Sequence, residues 1–411
     1  MSFTLSTLEK TFGNREGRTV MKKQIEKEIE NIREELLHIS QYIGNHPELG
    51  HEEFKASKIL SEELKKHGFQ VELGTCGLAT AFTAEFDSGR PGPSIGFMAE
   101  YDALPDLGHA CGHNLIGTMA VGAAIGVSKV IASCGGKVYV YGTPAEETKG
   151  GKVTMAEQGV FDHLDAAMMV HPYCRHEKSG TSLAMDAIQF EFFGKASHAA
   201  GAPHEGINAL DAVIQTFNGI NALRQHILPD ARIHGIIPEG GKAANVVPDY
   251  AVAQFYVRGT ERAYVNELLD KVKNCAKAAA LATGARLESS FYELSYDDLK
   301  TNETLSDAFT QNMIELGVDP DSIHEKADGG GSVDMGNVSQ IAPSIHPYVQ
   351  ICDEPYACHT PEFREAAMSS RGFEGLMLGA KSMAFTAYDV LINEELLKKI
   401  KEEFNLLKAL A

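Results

Sequence analysis

The segment Tyr101–Asn114, YDALPDLGHACGHN, gathers Asp102, Asp106, His109, Cys111 and His113 in one loop directly after an apolar run. Only Gly112 separates Cys111 from His113, and a thiolate and an imidazole at that spacing can bind one borderline-soft cation or a close pair of cations. Taken alone, the loop reads equally well as a polar turn with a chance Cys-His pair. A second segment, Thr143–Gly151 (TPAEETKGG), sets Glu146 beside Glu147, again just after an apolar run. Adjacent carboxylates on a loop point in different directions, so one can coordinate a metal while the other faces a water. Metal-assisted hydrolysis needs that division of labour. By itself such a pair is more often a solvated acidic turn. His171, in VHP, and His359, in CHTPEF, add two more imidazoles far apart in the chain.

A parallel sheet would bring these segments together. Apolar, strand-like runs at Ser94–Ala99, Lys137–Tyr141 and Ala166–Val170 end just before Asp102, Glu146 and His171, and they show no period-2 alternation. Strands of that kind are buried on both faces, and the ends of such strands are the usual place for a site. Helical patterns alternate with them. Ile25, Ile29, Ile32, Leu36, Ile39 and Ile43 form one face of a helix over about 22–43, a second helix covers 53–67 and stops at Gly68, and others are predicted over 114–132 and 365–380. Between about Ala187 and Leu299 the order becomes strand, helix, two strands, helix, strand (188–193, 208–225, 231–237, 251–258, 261–283, 286–292), which is that of a ferredoxin-like unit. Thr260 is the expected N-cap of its second helix.

In their order along the chain, HPELGHEE (46–53), YDALP (101–105), HACGHN (109–114), GTPAEE (142–147), VHP (170–172), GKASHAA (194–200) and HTPEF (359–363) resemble the aminoacylase/carboxypeptidase family of co-catalytic metallohydrolases. The resemblance runs from about Ile25 to near the C-terminus. YDALP, SVDMGNVS (332–339) and PSIHPYVQI (343–351) are similar to its aminoacylase-1-like branch, which includes β-alanyl-lysine-type dipeptidases and lies near aminobenzoyl-glutamate hydrolases. It implies an α/β fold: a three-layer metallohydrolase catalytic domain (1–186 and 300–411) with an inserted ferredoxin-like α+β lid and dimerisation domain (187–299). It also implies two divalent ions, zinc or manganese with cobalt as a further candidate. Cys111 would bridge them, with His113 and His171 on one ion and Glu147 and His359 on the other. Glu146 would be the general base and Asp102 a carboxylate that orients a ligand. Relatives with an aspartate bridge differ at Cys111, so the metal's identity stays open.

From the residues alone, His198 is a turn histidine, Asn245 a turn asparagine and Arg258 a salt-bridging arginine. The resemblance implies that His198 stabilises an oxyanion, in many relatives from a neighbouring subunit, and that Asn245 and Arg258 help to bind substrate. The run Gly329, Gly330 and Gly331 could let backbone N–H groups approach a substrate carboxylate, or be a plain turn. The implied partner chemistry is a small peptide or N-acyl amino acid, in a homodimer formed through the inserted domain. Ile207, Leu210, Ile214, Phe217 and Leu223 would be covered first by that domain's own strands.

The bulk properties fit. A chain of 411 residues exceeds the roughly 250–300 that one core supports, which calls for two domains. Lys+Arg 37 against Asp+Glu 56 leaves a formal charge of −19, which repels nucleic acid and anionic membranes. No apolar stretch approaches the roughly 20 residues that span a bilayer. The first twenty residues lack a secretory h-region and a helical or strand period. They are expected to lie outside the catalytic fold, and the cytoplasm is the expected compartment. Seven cysteines form no disulfide scaffold. Two other classes compete: a non-catalytic metal-binding or regulatory protein, which would have no use for Glu146 as a base, and a thiol-redox protein on Cys111 and Cys358, neither of which lies in a C-x-x-C motif.

Overall fold

The computed structural model describes residues 5–325 and 331–410, with side chains over 17–325 and 331–409. The chain forms two compact units. One holds it up to Gly180, again from Lys300, and from Val338 onward; the other holds Thr181–Leu299 and residues 331–337.

In the first unit the helices Leu5–Asn31 and Arg33–Asn45 meet at Ile32, where φ of −107° breaks the run. Ile25, Ile29, Ile32, Leu36, Ile39 and Ile43 are each 9% exposed or less, so the apolar stripe continues across the break. The strands β1 (Gln70–Leu73), β2 (Phe82–Asp87), β3 (Ser94–Ala99), β4 (Lys137–Gly142) and β5 (Ala166–Met168) lie in the order β1-β2-β4-β3-β5. The three central strands are parallel, while β1 and β2 join antiparallel at one edge. β3 and β4 are buried at every position after their first residue. The helix His113–Ser128 is buried along its whole length, which explains why it lacks an amphipathic period. After Met168 the chain leaves this sheet, and β6 (His171–Tyr173) and β7 (His176–Glu177) enter a smaller one. His171 therefore opens a strand of the small sheet and does not close the predicted strand 166–170.

The second unit is built from β8 (Ala184–Phe193), β9 (Arg232–Glu239), β10 (Tyr250–Gly259) and β11 (Arg286–Phe291), all antiparallel in the order β11-β8-β10-β9. The helices Ala209–Leu223 and Arg262–Thr283 share its core, giving the ferredoxin-like arrangement. This unit starts at Thr181 and not at 187 because Leu183 donates to the Gly331 carbonyl and Ser182 accepts from the Leu299 N–H. Two local expectations are corrected. Thr260 does not cap its helix: its hydroxyl binds Asp230, and the Arg262 N–H at the helix start is taken by Asp298. Ile214 does not face the strands either. It is 42% exposed, and Ala209, Ala212, Val213, Thr216 and Ile220 form the buried face.

Back in the first unit, β12 (Ile323–His324), β13 (Ser344–Ile345) and β14 (Tyr348–Gln350) complete the two sheets, β13 beside β5 and β14 beside β6. The helix expected over 365–380 is two helices, Pro361–Ala367 and Ser370–Ile392, because Ser369 accepts the Gly372 N–H and starts a second one. None of the described helices is long and apolar enough to cross a membrane.

The first twenty residues need correction as well. Among them, Arg18 lies within the first helix and grips Asp389 through Nε and Nη2, each at 2.7 Å. Lys22, 1% exposed, binds the same carboxylate at 3.0 Å and also reaches Asn312 and Glu315. A tether of charges has no apolar period, so no periodicity in the sequence marks it. We predict that Lys22→Met lowers the unfolding free energy by about 3 kcal/mol, because buried Asp389 loses the buried one of its two cationic partners. Half-exposed Arg18→Ala should cost about 1 kcal/mol. Urea titrations decide it, and a Lys22→Met protein as stable as wild type refutes the tether.

Candidate metal centre

Each ligand candidate sits where a regular element starts or stops. β3 and β4 run side by side, and Thr143 N–H donates to the Ala99 carbonyl at 2.8 Å, holding their carboxyl ends level. Asp102 follows the first strand, and Glu146 and Glu147 follow the second. Gly112 then caps the buried helix with φ of 79°, and an added Cβ would lie 2.5 Å from Pro172 Cγ. Only glycine accepts that backbone and that contact, so Cys111 and His113 are fixed on either side of it. His359 comes in from the far end of the chain. Its N–H donates to the Ala110 carbonyl at 2.9 Å, and its φ is 66°, a left-handed value costly for histidine.

The structure thus gathers Cys111, His113, Glu146, Glu147, His171 and His359. The ligand atoms of Cys111, His113 and His171 lie within 4.8 Å of one another, as do those of Cys111, Glu147 and His359, and those of His113, Glu146 and Glu147. Cys111 Sγ is 3.4 Å from His171 Nε2, and His359 Nε2 is 3.2 Å from Glu147 Oε1. Two tautomers follow from hydrogen-bond chemistry. His171 Nδ1 faces the Pro172 carbonyl at 2.7 Å and His113 Nδ1 faces Asp102 Oδ1 at 3.0 Å. Both oxygens can only accept, so each Nδ1 carries a proton and each Nε2 points into the cluster. His113 Nε2 is buried without a hydrogen bond, and the buried Glu147 Oε1 is approached by the His359 imidazole at 3.2 Å. A buried imidazole nitrogen with no hydrogen bond suits a cation ligand. The donor set fits a pair of divalent ions.

The charges agree. Burial alone would raise Asp102, but the charge and hydrogen bond of His113 outweigh it and hold the carboxyl below its ordinary value. Burial opposes the charged form of His113, yet Asp102, Glu100 and Glu147 raise it well above the usual imidazole range. His171, with burial and His113 both against it, falls to about 4. The Cys111 thiol is pushed far up, first by its contact with Cys358, then by burial and by Glu147 and Glu146. The carboxylates of the cluster thus favour positive charge on His113, and Glu147 does the same for His359.

Asp102 does more than orient His113, for its Oδ2 accepts the Glu147 N–H at 2.9 Å. Two functional neighbours escaped the sequence reading. Glu100, 2% exposed, approaches His113 Nε2 at 3.5 Å through Oε2, and its Oε1 accepts from buried Lys152 Nζ at 2.6 Å. Their only signal was position, one beside YDALP and the other just beyond TPAEETKGG.

The remaining candidates belong to the second unit. His198 is exposed, and its Nδ1 accepts the N–H groups of Ala200 and Gly201 at 3.2 and 3.0 Å, which puts the imidazole proton on Nε2. Asn245 is its neighbour, since its carbonyl accepts the Ala199 N–H. Arg258 lies over the Tyr256 ring at 5.2 Å, gives Nη1 to Ser332 at 3.3 Å, and leaves a buried Nε without a partner. Gly330 lies outside the described residues.

Residues 185–284 match a peptidase dimerisation domain. The chain is 37% identical to the mouse Xaa-Arg dipeptidase over 94% of its own length and 92% of the relative's. It is 30% identical to a component of the p-aminobenzoyl-glutamate hydrolase of Escherichia coli K12, over 92% and 94%. A solved dinuclear metal-binding peptidase of the M20 family from Bacillus subtilis shares the fold with a TM-score of 0.65 at 21% identity, over 88% of this chain and 99% of that one. A hydrolase of amide bonds that depends on metal is the class defined here. The chain belongs to the M20 family of aminoacylases and dipeptidases.

Gly112→Ala tests how far the site depends on its backbone. With a left-handed φ and Pro172 in the way, the variant should lose about 2 kcal/mol or more in chemical denaturation. A loss within experimental error would show that the turn can relax.

Proposed function

We propose that this enzyme hydrolyses the amide bond of dipeptides and aminoacyl-amino acids, and secondarily of N-acyl amino acids, on two divalent ions bridged by Cys111. The observation that carries the reading is that two ligand sets share one cysteine: Cys111 with His113 and His171, and Cys111 with Glu147 and His359. A shared thiolate implies neighbouring ions, and Glu146, outside these two sets and grouped only with His113 and Glu147, stands beside them as the base. Zinc suits the thiolate best, while manganese and cobalt are acceptable to the imidazole and carboxylate donors. Bound there, the ions supply Lewis acidity to the scissile carbonyl and make a nearby water easier to deprotonate. Glu146 accepts that proton and passes it to the leaving amine nitrogen. Asp102 keeps the proton of His113 on Nδ1, so that Nε2 remains a ligand.

In the second unit, His198 offers an Nε2–H suited to a developing oxyanion, Arg258 has donor capacity for the substrate carboxylate, and Asn245 stands beside His198. The relative named for Xaa-Arg substrates and the formal charge of −19 favour dipeptides whose C-terminal residue is basic. Seven cysteines without a disulfide suit a reducing compartment such as the cytoplasm. A homodimer formed through the second unit is supported by the match to a dimerisation domain and by edge strand β9, where Ile236 and Ile237 are 63% and 43% exposed.

Glu146→Gln should keep its metal and lose about 10²–10⁴-fold in kcat, whereas Glu147→Ala should lose metal. Equal metal loss in both variants, read by elemental analysis, overturns the assignment of the base. Chelation should abolish hydrolysis and added divalent metal should restore it.

If His198 completes the partner's site, mixing inactive Glu146→Gln and His198→Ala chains should regenerate activity, since a heterodimer contains one intact combination. Subunit exchange confirmed by mass spectrometry with no recovered activity rules out the trans arrangement.

A further inference from the structure

We propose that Glu53 is a positioning residue for Glu146: its buried carboxylate holds the backbone of Ala145 in the left-handed turn that aims the next side chain. The inference rests on Glu146 being the base. HPELGHEE was recognisable as a motif, yet none of its residues belongs to the ligand sets. The structure shows where it acts. Glu48 accepts the Ala103 N–H on its carbonyl, next to Asp102, and receives the Lys55 and Ala56 N–H groups on Oε2, which fixes the start of the helix Phe54–Lys66. Glu53, at the other end of the motif and fully buried, accepts the Ala145 N–H on Oε1 at 2.8 Å and the Thr80 hydroxyl on Oε2 at 2.8 Å.

Ala145 has φ of 62°, a conformation that an L residue with a Cβ adopts reluctantly. Something must hold it there. Gly50, from the same motif, is pressed against the turn so closely that its own Cβ would lie 2.8 Å from Ala145 Cβ and 2.4 Å from Thr148 Oγ1. The turn is also pinned beyond the base, where Asp102 takes the Glu147 N–H. Glu146 thus sits between two N–H groups that are both bound by buried carboxylates. If the first is released, Ala145 can return to an ordinary φ, which swings Glu146 while Glu147 stays tied to Asp102. Burial pushes the Glu53 carboxyl up to about 7, against the pull of its hydrogen bonds. So costly a buried acid, placed away from the ligands, is consistent with a role in geometry.

Glu53→Ala should lower kcat by about a hundredfold, the scale of a displacement of about 1 Å, while KM and metal content stay within about twofold. Glu53→Gln keeps an oxygen for Ala145 and an amide that can donate to Thr80, and should recover most of the rate. Ala145→Gly removes the reluctance itself, so in the Glu53→Ala background it should restore activity in part. It should raise the melting temperature of wild type more than that of Glu53→Ala, in which the turn has already relaxed, a readout independent of catalysis. Should Glu53→Ala fail to fold, Glu53→Gln and the double variant carry the test. A wild-type kcat in Glu53→Ala, a Glu53→Gln as slow as the alanine variant, or additive melting shifts for positions 53 and 145 would overturn the proposal. An active Glu146→Gln would instead remove the base assignment, and the melting cycle would still report whether Glu53 holds Ala145.

Discussion

Both oxygens of Asp102 are engaged, one by His113 Nδ1 and the other by the Glu147 N–H, and Asp102 is 1% exposed. One buried carboxylate therefore fixes a ligand on the loop after β3 and the turn after β4. Removing it would free an imidazole to flip and a glutamate to drift, and would leave two buried donors unsatisfied. The rest of the first unit keeps this carboxylate in place. The parallel pairing of β3 with β4 sets the spacing between the two loops, and the buried helix starting at His113 sets the direction of the imidazole.

Much of this was legible from residue types, because ligands must be Cys, His, Asp or Glu and must follow strands that share a direction. Cys111, His113 and Glu147 stood out as candidates on those grounds, His171 and His359 entered as ligands through the family resemblance, and βαββαβ could be read from periodicity. Side chains that act through other side chains could not. Glu100 and Lys152 neutralise each other in the interior, and nothing in a glutamate next to YDALP or a lysine after two glycines announces an ion pair. Arg18 and Lys22 meet Asp389 across most of the chain's length, a separation over which periodicity carries no information. Ile207, Leu210, Phe217 and Leu223 pack against the core of the second unit as expected, and only Ile214 turns away, because the deepest positions of its helix are the small residues Ala209, Ala212 and Val213.

Local strain follows the same division. His359 and Ala145 both have positive φ although neither is glycine, and both lie in the loops that form the centre. Positive φ without glycine persists only where surrounding contacts over-determine the backbone. The Ala110 carbonyl holds His359 by its N–H, and Glu53 holds Ala145 in the same way. Gly112, by contrast, meets its demand with composition alone, and that is why the CGH string was readable while the turns at 145 and 359 were not.

The electrostatics connect binding with ionisation at the cysteine. Contact with Cys358, burial and the nearby Glu147 and Glu146 all oppose the thiolate of Cys111, whereas the proposed bridging role would need it. His113 faces the opposite pressure, since its carboxylate neighbours favour the protonated ring while a ligand must present a bare Nε2. Both shifts run against the protonation state that coordination would require. Metal uptake would then release protons, and affinity should rise with pH. An aspartate in the bridging position would carry its negative charge already. In the proposed bridging position a cysteine, which ionises at higher pH than an aspartate, would make metal binding more dependent on pH.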